Sequence, residues 1–234
     1  MKKVSFKTYL NDRLKEVNFH GQPTYPLYVQ VTYERKTIFF KSYYFELFTK
    51  PRFAVMLPDG STKGPDVALA TKKEEDVIRF VIGKLEDDFS LEAFRKLYAY
   101  FSRDICEAME VEFIDYLYVF FEDKKLPNMA ELIKWGTKHV ITYDLMTELQ
   151  NTLDKALYQE LIDGAFEDAP PYVQMYSFML HIKNWPELCL TAMEWYNLET
   201  VQVFKVYVEE HFSDLPSNIL IKQVDNWPHY RRKL

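Results

Sequence analysis

Hydrophobic positions along this chain change their period near residue 70. Before that point they recur at every second residue: Val4, Phe6, Thr8 and Leu10 alternate with Ser5, Lys7 and Tyr9, which is the period of a strand. Asn11-Asp12 closes the strand, and a polar piece containing Arg13, Lys15 and Glu16 leads to the turn signal His20-Gly21-Gln22-Pro23. The stretch Pro23 to Phe45 then reads as a hairpin. Leu27, Val29, Val31 and Tyr33 share one face of its first strand, and Tyr28, Gln30 and Thr32 share the other. Glu34-Arg35-Lys36 forms the polar turn, and the return strand runs from Thr37 to Tyr44. That strand carries Ile38, Phe40, Ser42 and Tyr44 on one side and Thr37, Phe39, Lys41 and Tyr43 on the other. With aromatics on both sides, it is either covered twice within its own domain or leaves a surface for a partner. A further apolar run, Phe53 to Leu57, ends at the turn sequence Pro58-Asp59-Gly60. The pattern predicts a small antiparallel sheet of three to five strands.

From residue 71 onward the apolar spacing is helical. Thr71 and Glu74 have the spacing of a capping box, and Val77, Ile78, Val81, Ile82 and Leu85 follow on one face. Ser90 caps a second run, Leu91 to Leu117, which predicts one very long helix or two that abut, with Ser102 to Asp104 as the break. Tyr116 to Phe121 is apolar on all sides and must be buried or shared. Pro127-Asn128 restarts a helix that Gly136 ends, Thr142 to Ile162 makes another stopped by Gly164, and Pro170-Pro171 opens one that continues through Ile182. Asn184-Trp185-Pro186 and Asn226-Trp227-Pro228 read as two uses of one helix-starting device, since the sequences after them diverge. The partly β-branched piece from Val201 to Phe212 fits helix or strand, and its placement favours helix. The tail ends with an exposed basic run, Arg231, Arg232 and Lys233. The expected class is α+β: an N-terminal small antiparallel β-sheet, residues 1–70, followed by an all-helical region, residues 71–234.

Composition narrows the function classes. At 234 residues and 48% hydrophobic content the chain has ample material for a core. Six glycines leave little for phosphate-cradling loops. GxSxG, GxxxxGK and GxGxxG are all missing from the sequence, which removes the usual pointers to nucleophilic and phosphoryl chemistry. MKKVSFKTYL does not read as a signal peptide, and no run approaches the ~20 apolar residues of a membrane span. Cys106 and Cys189 each sit on an apolar helical pattern and read as reduced core thiols. The five histidines show no i, i+3 or i, i+4 pairing with another His or Cys, and Glu209-Glu210-His211 lacks the two-histidine spacing of a zinc protease, so no metal or cofactor is expected. Glu107, Glu110, Glu112 and Asp115 follow one another along a helix as paired carboxylates for acid-base work would, though such a run is more often a solvated face.

Charge is distributed unevenly. Residues 1–70 hold 11 Lys or Arg against 6 Asp or Glu, while residues 71–234 hold 18 against 29. Such polarity suits an anion partner for the first part, a basic partner for the second, or copies stacked head to tail. The basic-aromatic hairpin is the constellation with the most chemical content. Its candidate interaction residues are Arg35, Lys36, Phe39, Lys41, Tyr43 and Tyr44. These could set cations on phosphates and rings on bases, or serve as anchors in a protein interface.

The hairpin PLYVQVTYERKTIFFKS resembles the N-terminal arm-type DNA-binding sheet of tyrosine integrases from Bacteroidetes and their mobile elements, where a proline-led PLYVRVT strand precedes a basic turn and an aromatic strand. The resemblance covers the first 45 residues, with Gln30 where those arms often carry arginine. It implies a DNA-binding sheet; the Arg, HxxR and Tyr set of a recombinase is missing, so integrase activity does not carry over. In its glycine-poor, Tyr- and Phe-rich composition the chain is similar to small virion proteins of crAss-like tailed phages, including those that build rings around the portal and tail. The resulting expectation is a non-enzymatic structural protein of a virion, assembled in the host cytoplasm, homo-oligomeric and away from membranes. It would interact through the aromatic hairpin and oppositely charged ends. The alternative is an accessory DNA-binding protein using the same hairpin.

Overall fold

The computed structural model describes the backbone of residues 4–230 and the side chains of residues 4–226. The basic run Arg231 to Lys233 lies outside the described residues. In chain order the strands are β1 (Ser5–Leu10), β2 (Val17–Phe19), β3 (Gln22–Thr24), β4 (Leu27–Tyr33), β5 (Lys36–Lys41), β6 (Val55–Met56) and β7 (Thr62–Lys63). The antiparallel sheet has the order β1-β4-β5, and β2/β3 and β6/β7 form two-stranded ribbons. The class is therefore α+β, a small N-terminal antiparallel sheet followed by helices. Among the described residues no helix is long and apolar enough to cross a membrane.

The chain forms two units. The first comprises residues 1–103 with 185–193, and the second residues 104–184 with 194–234. The change of period at residue 70 is not the boundary: two helices beyond it belong with the sheet. The first unit adds α1 (Tyr43–Leu47), α2 (Val67–Leu85) and α3 (Leu91–Phe101). Its core joins Val29 and Val31 of β4 to Ile78 and Val81 of α2 and Phe94 of α3, all fully buried. Phe40 of β5 reaches the Tyr98 ring at 4.7 Å, which ties the sheet to α3.

The second unit contains α4 (Ile105–Asp123), α5 (Pro127–Gly136), α6 (Thr142–Thr152), α7 (Lys155–Asp168) and α8 (Tyr172–Ile182). After the short α9 (Ala192–Trp195) come α10 (Leu198–His211) and α11 (Ser217–Tyr230). Phe113 of α4 packs on Tyr172 at 5.2 Å, and Phe178 of α8 on Phe204 of α10 at 5.1 Å, all four buried. Asp104 caps α4 by accepting from the Glu107 amide, which is why the long apolar run breaks at 102–104.

Five sequence expectations about the helices are corrected. Thr71 does not cap α2, because Asp66 does so three residues after Thr62–Lys63 ends and the apolar face already starts at Val67 and Ala70. The stretch 142–162 is two helices, since Asp154 accepts from the Ala156 amide and starts α7 there. Asn184-Trp185-Pro186 is a turn with a cis Trp185–Pro186 peptide rather than a helix start. Asn226, Trp227 and Pro228 lie within the last turns of α11.

Gly164, expected to stop a helix, lies inside α7. A Cβ there would sit 2.6 Å from the Tyr116 hydroxyl, which donates to the Leu161 carbonyl at 2.6 Å. Gly164→Ala therefore forfeits the ~1 kcal/mol that alanine normally contributes over glycine in a helix. It is expected to lower the melting temperature, whereas the same change at the unobstructed helical Gly83 raises it.

Candidate functional site

The first candidate surface is the outer face of the sheet, and its composition follows from register. Residues directly opposite in neighbouring antiparallel strands share a face. Three rows result: Ser5–Thr32–Thr37, Lys7–Gln30–Phe39 and Tyr9–Tyr28–Lys41. The intervening positions Val29 and Val31 point into the core, so this face is the solvent side. Within it the Thr32 and Thr37 hydroxyls are 3.0 Å apart, and the Lys7 ammonium lies over the Tyr9 ring at 5.1 Å. Phe39 is 56% exposed at the centre of an edge strand.

The hairpin turns on two residues, Glu34 and Arg35, with φ of 49° and 64°. This left-handed pair matches the twist of the flanking strands and aims Arg35 into solvent at the tip. Lys36 already belongs to β5, paired with Tyr33. Four of the six residues named from the sequence thus stand exposed together: Arg35, Lys36, Phe39 and Lys41, the last 3.5 Å from Glu46.

Tyr43 and Tyr44 are elsewhere. The return strand ends at Lys41 because Ser42 caps α1, its Oγ accepting from the Phe45 amide at 3.0 Å. Tyr43 is half-buried and Tyr44 is fully buried, so Tyr44 is core and offers no contact surface. The same Ser42 hydroxyl donates to Glu74 at 2.7 Å. Glu74 also accepts from the Tyr44 amide at 3.1 Å and from the Tyr98 hydroxyl at 2.5 Å. Burial pushes the Glu74 carboxyl above its usual range, opposed by these three donors and by the Tyr43 amide. This carboxylate is a structural clamp on the segment that follows the hairpin.

The second candidate surface is a groove of about 1080 Å³ along α4 and α7, wholly within the second unit. Tyr116, Val119, Phe120 and Pro170 give it an apolar lining. Glu112, Asp115 and Asp123 edge it from α4, and Glu160, Asp163, Glu167 and Asp168 from α7. Its single lining cation among the described residues, Lys124, bonds Glu160 and so bridges the two helices. Tyr116 registers this field: its hydroxyl is pushed up to about 12, by burial first and then by Asp168, Glu160 and Asp163.

The remaining sequence candidates do not converge. Glu110 accepts from Thr142 and Tyr172, at 2.8 and 3.3 Å, while Glu112 and Asp115 face the groove. His211 stacks on Tyr207 at 4.2 Å, and Glu209 accepts from Ser217. Cys106 and Cys189 are both fully buried. Among the described residues no group of three or more His, Cys, Asp or Glu is placed to hold a metal ion. No protein-family model matches the chain, no curated protein matches it, and no solved structure matches it.

Proposed function

We propose that this chain is a non-enzymatic assembly protein that binds other protein chains, copies of itself included, through the outer face of its three-stranded sheet. What supports this is the make-up of that face: an exposed phenylalanine on an edge strand, with Lys7 and Lys41 on the same face and Arg35 at the adjoining turn. Aromatic and arginine side chains are favoured interface anchors, and an edge strand offers backbone groups to an incoming chain. The units also differ in sign. The sheet unit holds 18 Lys or Arg against 14 Asp or Glu, and the helical unit 11 against 21. A virion ring around a portal or tail is the proposed setting, in keeping with the likeness in composition to virion proteins of crAss-like phages.

One observation favours a second reading, duplex DNA on the same face. The rows Lys7–Gln30–Phe39 and Tyr9–Tyr28–Lys41 set ammonium, amide and phenol groups on one antiparallel surface, as sheet-type DNA readers do. Light scattering across a salt series, with and without duplex DNA, separates the two. Assembly predicts particles larger than the 28.0 kDa chain that shrink as salt rises and ignore DNA. A monomer at every salt overturns assembly, and salt-sensitive DNA binding by that monomer, lost in Arg35→Glu/Lys36→Glu, establishes the second reading.

A further inference from the structure

We infer that the groove between α4 and α7 is the receptor for the β4–β5 hairpin tip of a second copy of this chain. The inference rests on the assembly reading above and names its missing half, the surface that the sheet meets. Charge comes first. Among the described residues the groove lining carries seven carboxylates and one cation, Lys124, which is paired with Glu160. An occupant must therefore bring cations, and the tip presents Arg35 and Lys36, both exposed, side by side.

Apolar matching comes second. Val119 is 55% exposed beside Phe120, and Phe39 is 56% exposed three residues beyond Lys36. Arg35 at the turn, set against the carboxylates, would bring that ring, which shares its face with Lys41, toward the apolar lining. Dimensions agree as well. Residues 156–168 of α7 extend for ~18 Å at the rise of a helix, and residues 35–39 for ~13 Å at the rise of a strand. A small ligand would leave most of this elongated space unfilled.

The joint is heterologous: a tip on one copy meets a groove on the next, so each copy offers one of each and assembly continues to a ring or filament. This predicts a result that a symmetric dimer cannot give. Arg35→Ser/Lys36→Ser keeps a working groove and Asp163→Lys/Glu167→Lys keeps a working tip; all four positions are exposed, so both variants should retain the wild-type circular dichroism. Sedimentation should show each variant alone as a monomer of 28.0 kDa. An equimolar mixture should form a one-to-one dimer and stop there, because the free ends are dead.

Wild-type association that survives in either variant overturns the inference while leaving assembly intact. A mixture that remains monomeric overturns it too. A wild type that never associates removes the assembly reading along with it. If a Lys variant loses its circular dichroism, Asp163→Asn/Glu167→Gln replaces it, and association then has to weaken about tenfold or more for the groove to stand.

Discussion

Replacing Glu74 by alanine is expected to destabilise the sheet unit by about 3–9 kcal/mol, because three buried donors lose their acceptor and each costs roughly 1–3 kcal/mol when unpaired. The donors are the Ser42 hydroxyl, the Tyr44 amide and the Tyr98 hydroxyl. A loss of that size is a large share of the ~5–15 kcal/mol that holds a typical domain together. Glu74→Gln keeps the acceptor oxygen for Ser42 and Tyr44 and should retain most of the stability in urea denaturation. The glutamine also isolates a pH effect. Burial raises the carboxyl above its ordinary value of 4.5, so the folded chain holds this proton more tightly than the unfolded chain does. Its contribution is fully present below that ordinary value and is lost as pH rises through the raised one. Wild type should therefore lose stability relative to Glu74→Gln over that interval; parallel stability curves for the two proteins would refute the buried-charge account.

Tyr44→Ser is expected to unfold or nearly unfold the same unit, at a cost of about 3–5 kcal/mol for emptying a large buried site. Tyr44 is fully buried, between Tyr43 at 5.3 Å and Phe48 at 6.1 Å. Tyr44→Phe separates ring from hydroxyl. The hydroxyl is buried without a hydrogen-bond partner among the described residues, so removing it should leave the melting temperature unchanged or raise it. Any loss of assembly in the serine variant would report a damaged core. A fall in stability for the phenylalanine variant would show that the hydroxyl has a partner in solution.

Much of the first sheet was legible because alternation is a direct readout of one buried and one wet face. Val29 and Val31 inside, with Tyr28, Gln30 and Thr32 outside, follow from period alone. Strand periodicity failed at Ser42, where a hydroxyl able to cap a helix interrupts a run of aromatics that fits either structure. Position 74 misled for a related reason. Ala70, Glu74, Val77, Ile78 and Val81 fall on one helical stripe, so the glutamate stood in the apolar face and its spacing from Thr71 imitated a cap. The stripe was the better signal. The groove was half visible: Glu112 and Asp115 were noted on one helix, but their counterparts lie some fifty residues later, and only folding brings α4 and α7 together. Unit membership was invisible, since no local pattern ties residues 185–193 to a sheet formed by the first 41.

That last connection sets an order for the newborn chain. Residues 185–193 bring Cys189, fully buried, into the core of the first unit, and Glu187 within 3.2 Å of Lys73. When residues 1–103 leave the ribosome, their core still lacks this piece, and the next 81 residues to be translated, 104–184, belong to the other unit. The core of the first unit therefore stays incomplete through the synthesis of most of the second unit. The second unit in turn cannot close until α10 and α11 have been made. Neither half can be finished before the other has begun, and a ribosome stalled near residue 184 would hold two unfinished cores.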